Sequence, residues 1–214
     1  MKLTLESYLT QKQKLPQTGR HIVAQFNTEA VVVYQAYRPA IGCFAASGGY
    51  FGGEFSLNRM SWIKPSFLWM MYRSGWGTKP GQEVILAIWL KRTAFDIILE
   101  QAVTAKYNSE LYSTKAQWQQ AVQRSDVRLQ WDPDRTPRGG RLARRAIQLG
   151  LRGKILGAYA QDWILHIENI SEFVRQQYQI VQGDRFDELL VPTESVYPLA
   201  DAAIKYQNLQ LSPI

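Results

Sequence analysis

The chain has 214 residues, 46% of them hydrophobic and 20% charged, which is enough apolar material for one core without disulfides and suits one domain, or one domain with extensions. Its single cysteine, Cys43, excludes an internal disulfide, no apolar run approaches the roughly 20 residues of a membrane span, and MKLTLESYLTQKQKLP lacks the apolar stretch of a signal peptide, so a cytoplasmic protein is the default. The net charge of +7 points to anionic partners, and it is uneven: eight cations face only Asp132 and Asp134 between Arg128 and Lys154, whereas the chain from Asp184 onward is mildly acidic.

In chain order, residues 1–20 are polar and read as an arm or short helix before a single domain over 21–198, with 199–214 as a tail. His21–Phe26 and Ala30–Tyr37 read as strands around Asn27 and Thr28. Pro39 suits a helix first turn, and Ala40–Ser47 a short buried helix in which Cys43, within IGCFAA, is an inert buried thiol. The glycines around Tyr50 and Phe51 form a loop without the spacing of a phosphate-binding loop. Arg59–Lys64 alternates as a short strand, and Pro65 opens a helix through Arg73 that Gly75 ends.

EVILAIWL, Glu83–Leu90, is the clearest buried strand and is expected at the centre. Phe95, Ile98, Leu99, Ala102 and Val103 recur at helical spacing. Thr114 and Gln117 form a capping box before a helix whose stripe is Trp118, Ala121, Val122 and Ser125. Strands follow at Val127–Asp132 and Ala146–Leu151, separated by the basic turn-rich loop DPDRTPRGGR. Ile155, Leu156, Tyr159 and Trp163 mark a helix, Ile164–Ile170 a strand, and Ser171 caps the last helix. Proline interrupts LLVPTESVYPL. Strands and helices mix without regular βαβ alternation and without repeats, so the fold class is α+β with one shared core.

The densest chemistry lies in RMSWIKPSFLWMMYRSGWGTKPGQ, Arg59–Gln82. It holds three of the seven tryptophans, Trp62, Trp69 and Trp76, and four cations, Arg59, Lys64, Arg73 and Lys79, without one acid. Arginine forks bind phosphate and aromatic faces stack a base or nicotinamide ring. These residues, with Gln35, Tyr37 and Arg38 before them and Arg145, Gln148 and Arg152 after, are the binding candidates. Trp69, Met70 and Met71 read as core, whereas Trp62 and Trp76 divide evenly between core and site. The basic loop offers Arg135, Arg138, Arg141, Arg145 and Arg152 to a nucleic acid. His21, His166 and Cys43 are too far apart to suggest a metal, and no nucleophile elbow supports a hydrolase.

VYQAYRPAI, RMSWIKPSFLWMMYRSGWGTKPGQE, VRLQWDP and RAIQLGLRG resemble signature segments of an uncharacterised microbial family, domain of unknown function 4291, from about His21 to Pro198. More remotely, the order of elements is similar to the ADP-ribosyltransferase fold. That resemblance implies a split, mixed or antiparallel sheet with flanking helices and NAD as cofactor. It places Gln35 near the cation position of the early strand with Arg38 after it, Ser61 and Trp62 before the second helix, and Gln148 where the late strand carries a catalytic Glu. Arg38, Ser61 and Gln148 are then the catalytic candidates. Gln35, Tyr37, Trp62, Lys64, Arg73 and Trp76 would hold NAD or a related nucleotide. The neutral Gln148 departs from that pattern and points instead to phosphate chemistry of the RNA 2′-phosphotransferase kind. Three functions stay open: a nucleotide-dependent transferase acting on RNA or another nucleic acid, a non-enzymatic RNA-binding module, and a partner-binding domain whose tryptophans are all core.

Overall fold

In the computed structural model, which describes residues 1–199 and 209–212, the unbroken apolar run lies at the centre. Strand β6 (Val84–Lys91) sits between β4 (Ala30–Tyr37) and β10 (Ile164–Asn169) and is antiparallel to both. Residues 84–90 are all buried because both sheet faces are covered. Alternation sends Leu86, Ile88 and Leu90, with Val31 and Val33, into one apolar core. Ile85, Ala87 and Trp89, with Val32 and Tyr34, enter a second. Helices α2 (Pro39–Gly48), α4 (Arg92–Glu100) and α6 (Gly153–Gln161) close the first core, and α3 (Phe67–Ser74) and α7 (Ser171–Gln182) the second. The single core expected from sequence is therefore two, one on each face of this sheet.

The second sheet is built on the hairpin β8 (Val127–Arg135) and β9 (Arg141–Leu151). The short strand β7 (Ala102–Thr104) runs parallel to β8, while β5 (Ser61–Ile63) and β2 (Gly19–Arg20) pair with β9. Strand β5 stitches the sheets together. It ladders with β9, and Lys64, the next residue, exchanges two backbone hydrogen bonds with Tyr34 of β4. The result is one α+β domain with a mixed sheet divided at β5, and the tryptophan-rich segment lies across the division.

Several local expectations change. Ala102 and Val103 form a strand, because α4 ends at Glu100 and their apolar side chains serve β7. The strand expected over His21–Phe26 shrinks to β3 (Val23–Ala24), which pairs with β12 (Ser195–Val196). Helix α3 begins at Phe67 rather than Pro65. The basic loop is mostly hairpin: β8 continues to Arg135, and β9 already begins at Arg141, its extra residues between Arg141 and Arg145 shifting the register opposite Pro133–Arg135. Helix α5 (Lys115–Arg124) is capped by Thr114 accepting from Gln117 N, yet none of its residues is fully buried. Cys43 is exposed rather than buried. Helix α2 is apolar on all sides, but only Ile41, Gly42 and Ala45 face inward, and a Cβ on Gly42 would lie 2.5 Å from Val84.

The first 20 residues are tied down. β1 (Leu5–Ser7) pairs with β11 (Leu190–Pro192), α1 (Tyr8–Lys14) follows it, and β2 joins β9. Residues 209–212 lie against the second sheet: Trp131 Nε1 donates to the Leu209 carbonyl at 2.9 Å. Among the described residues no helix is long and apolar enough to cross a membrane, and no group of three His, Cys, Asp or Glu could hold a metal ion.

Candidate functional site

Where β5 joins the two sheets, a cleft of about 290 Å³ opens between the end of β4, β5, α3 and the loop at Pro80–Gln82. Gln35, Tyr37, Arg59, Ser61, Trp62, Lys64 and Arg73, seven of the candidates, line it. No Asp or Glu does. A second cavity of about 390 Å³ shares Tyr37, Arg59, Ser61 and Gly81 with the first, and adds Arg38. Arg38 is exposed there and ion-paired with Glu54.

The wall of this cleft is a hydrogen-bonded group that starts in the core. Tyr159 of α6 donates its hydroxyl to Gln35 Oε1 at 2.7 Å. That bond sets the amide, whose Nε2 then faces Tyr37 Oη at 2.8 Å, Ser61 Oγ at 2.9 Å and the Trp62 carbonyl at 3.2 Å. The two hydroxyls lie 2.7 Å apart. Burial pushes the Tyr37 phenol up to about 12, against the opposing pull of its Ser61 bond, Arg59 and Gln35. Burial, and then Tyr37, raises Tyr159 well above its usual value. Both phenols are therefore protonated near neutrality. One hydroxyl of the Tyr37–Ser61 pair donates to the other, so the acceptor keeps an O–H with no protein partner among the described residues, next to the cleft.

Lys64 is the unusual cation. It is 5% exposed, and among the described residues its Nζ has one hydrogen-bond partner, the Trp62 carbonyl at 3.4 Å. Among the described residues no carboxylate forms an ion pair with it. Burial first, then Arg73, pushes its amine down to about 7, with Asp132 acting in the opposite sense. The guanidiniums of Arg59 and Arg73 likewise make no ion pair among the described residues. Trp62 lies over Gly150 of β9, where a Cβ would meet the indole at 3.0 Å and Met60 Sδ at 2.6 Å.

The remaining candidates lie elsewhere. Trp76 is buried in the second core, stacked on Tyr178 and donating Nε1 to the Pro137 carbonyl at 3.1 Å. It does not line the cleft. Gln148 sits on β9 one step along the ladder from the Ile63–Leu149 pair, but does not line the cleft; its Nε2 donates to Asp132 Oδ2 at 2.8 Å. Lys79 Nζ closes α3, bonding the Arg73 carbonyl at 2.7 Å.

The basic candidates of the hairpin divide by role. Arg135 is buried, stacked 3.7 Å from the Tyr72 ring centroid. Arg152 bonds the Val122, Gln123 and Ser125 carbonyls at the end of α5 and pairs with Asp126. Arg138 is exposed and pairs with Asp184. Arg141 and Arg145 are exposed on β9. Of the residues expected to meet a nucleic acid, Arg135 thus stacks on an aromatic ring and Arg152 satisfies orphan carbonyls at a helix end. Tyr159 was missed as a site residue, since its helical spacing is that of any core tyrosine.

No curated protein matches the chain. One family does, under the description Domain of unknown function (DUF4291), over residues 21–197, a span that holds β4, β5, α3 and β9 and so every wall of the cleft. The chain belongs to that family.

Proposed function

We propose that the cleft binds a phosphate-bearing nucleotide, with NAD or a related dinucleotide the specific ligand, and that the protein is a transferase acting on it. The observation that supports this most is the lining: Arg59, Lys64 and Arg73 meet without a carboxylate, and clustered cations are unfavourable until an anion neutralises them. The half-buried Trp62 offers a ring face at the rim. The free O–H of the Tyr37–Ser61 pair offers a donor for a ribose hydroxyl or phosphate oxygen. The resemblance to the ADP-ribosyltransferase fold implies a catalytic Ser61 on the second strand, before α3. The cleft lining has no carboxylate that could stabilise an oxocarbenium-like centre, and Gln148 lies outside it, bonded to Asp132, which supports the phosphate reading.

Isothermal titration with ADP, ADP-ribose, NAD and adenosine tests this. The phosphorylated ligands are expected to bind and adenosine is not. Arg73→Ala and Arg59→Ala should each weaken ADP by about tenfold, the worth of one charge-assisted hydrogen bond. Equal affinity for adenosine and ADP would remove the reading. Exposed Arg141 and Arg145 favour a second reading, in which RNA is bound; RNA affinity should then fall with salt and with loss of either arginine.

A further inference from the structure

Lys64 is not explained by phosphate binding alone. A lysine that only met an anion would do so from the rim as an ammonium, as the exposed Arg59 and Arg73 can. Lys64 instead comes from a strand end, is 5% exposed, and reaches the cleft with one long contact to a carbonyl. Burial without a carboxylate ion pair among the described residues, and a neighbouring guanidinium whose effect outweighs that of Asp132, are the conditions that make an amine a nucleophile. The same cleft has an unshared hydroxyl proton at Tyr37–Ser61.

We infer that Lys64 is a nucleophilic amine and that the cleft takes a phosphate-bearing aldehyde or ketone, by class an open-chain sugar phosphate, as an imine on Nζ. The inference rests on the phosphate reading of the cleft. The neutral amine adds through its lone pair to the carbonyl carbon and gives a carbinolamine. The carbinolamine then loses its oxygen as water, which carries away both hydrogens of the former amine once protons have redistributed. A carbon–nitrogen double bond replaces carbon–oxygen, and nothing is oxidised or reduced. Arg73 and Arg59 would hold the phosphate, and the hydroxyl pair can pass a proton to the departing oxygen.

The lowered Lys64 pKa of about 7 agrees with this chemistry and supplies a readout. The probe is pyridoxal 5′-phosphate, with borohydride added to reduce any imine to a stable amine and peptide mass spectrometry to locate it. Lys64 is expected to be modified before the exposed Lys2, Lys106 and Lys154. Modification should be at least about tenfold slower with pyridoxal, which lacks the phosphate, and inorganic phosphate should compete. The rate should be half-maximal near pH 7, and Arg73→Gln should move that midpoint upward by removing a nearby positive charge. Lys64→Met should lose the adduct and keep its fold. Label confined to exposed lysines, equal rates with pyridoxal, or a midpoint near the ordinary lysine value would each overturn the inference. If ADP still binds by calorimetry while Lys64 stays unmodified, the imine fails and the nucleotide site stands. If neither ADP nor phosphate binds, the site reading itself has failed.

Discussion

Lys64 links the chemistry of the cleft to the stability of the fold. Its amine falls from an ordinary 10.5 to about 7. Between those values the unfolded chain holds a proton that the folded chain does not. Stability therefore rises with pH across this window, and the whole penalty is felt below about 7. At 1.36 kcal/mol per unit the penalty has an upper bound on the order of 5 kcal/mol. Lys64→Met keeps the side-chain volume and removes the charge. It should be the more stable protein at pH 6 in urea denaturation, with an advantage that shrinks toward pH 10. A variant less stable at both pH values would show that Lys64 is held by contacts that favour its charged form. Glu194 acts in the opposite sense: burial holds its pKa well above the usual value, with its bond from Phe67 N acting against this, so its contribution to stability falls as pH rises.

At the scale of the element, α3 is the piece that carries Arg73 to the cleft, and its start is set from afar. Ser66 makes no side-chain cap. Glu194, far along the chain next to β12, accepts from Phe67 N at 2.7 Å, and its own backbone N donates to Gln11 Oε1 at 2.5 Å. The C-terminal end is closed by Gly75 in the left-handed region at φ 60° and by Lys79 Nζ on the Arg73 carbonyl. Glu194→Ala removes the distant cap and leaves a buried N–H without a partner. A loss of about 1–3 kcal/mol in denaturant unfolding is expected. Because α3 also lines the cleft, ADP affinity should fall with it. Unchanged stability would mean that water or Ser66 replaces the carboxylate at no loss.

At the scale of the whole molecule, the division between sheets decides where motion is allowed. β4 and β6 are covered on both faces. By contrast α5 has no fully buried residue and is held by Arg128 and Arg152 on its last carbonyls. Native-state hydrogen exchange should therefore be slowest in Val31–Val33 and Ile85–Ile88 and fastest in α5. The Lys64 and Tyr34 amides, which bridge the sheets, should gain protection when ADP is added, because the ligand would touch both sides of the division. Equal protection of α5 and β6 would contradict this division of stability.

Some of this was already decided by sequence. EVILAIWL had to be a central strand, because seven successive apolar residues satisfy both faces of a sheet at once. The run from Arg59 to Gln82 was legible as cations and aromatics without an acid, a local property of the chain, and Arg59, Trp62, Lys64 and Arg73 from it line the cleft. The ends of elements were less legible: Ala102 and Val103 continue the helical spacing of α4, and only the parallel partner Val127–Arg128 makes them a strand. Tertiary structure alone decided which candidates meet. Tyr37 and Ser61 are 24 residues apart in sequence and 2.7 Å apart in space, whereas Trp76, in the same motif as Lys64, turns into the other core. It also decided that Lys64 is buried and Cys43 exposed. Burial depends on what packs over a residue, and the cleft that Lys64 lines is built from β4, β5, α3 and the Pro80–Gln82 loop, which are apart in sequence.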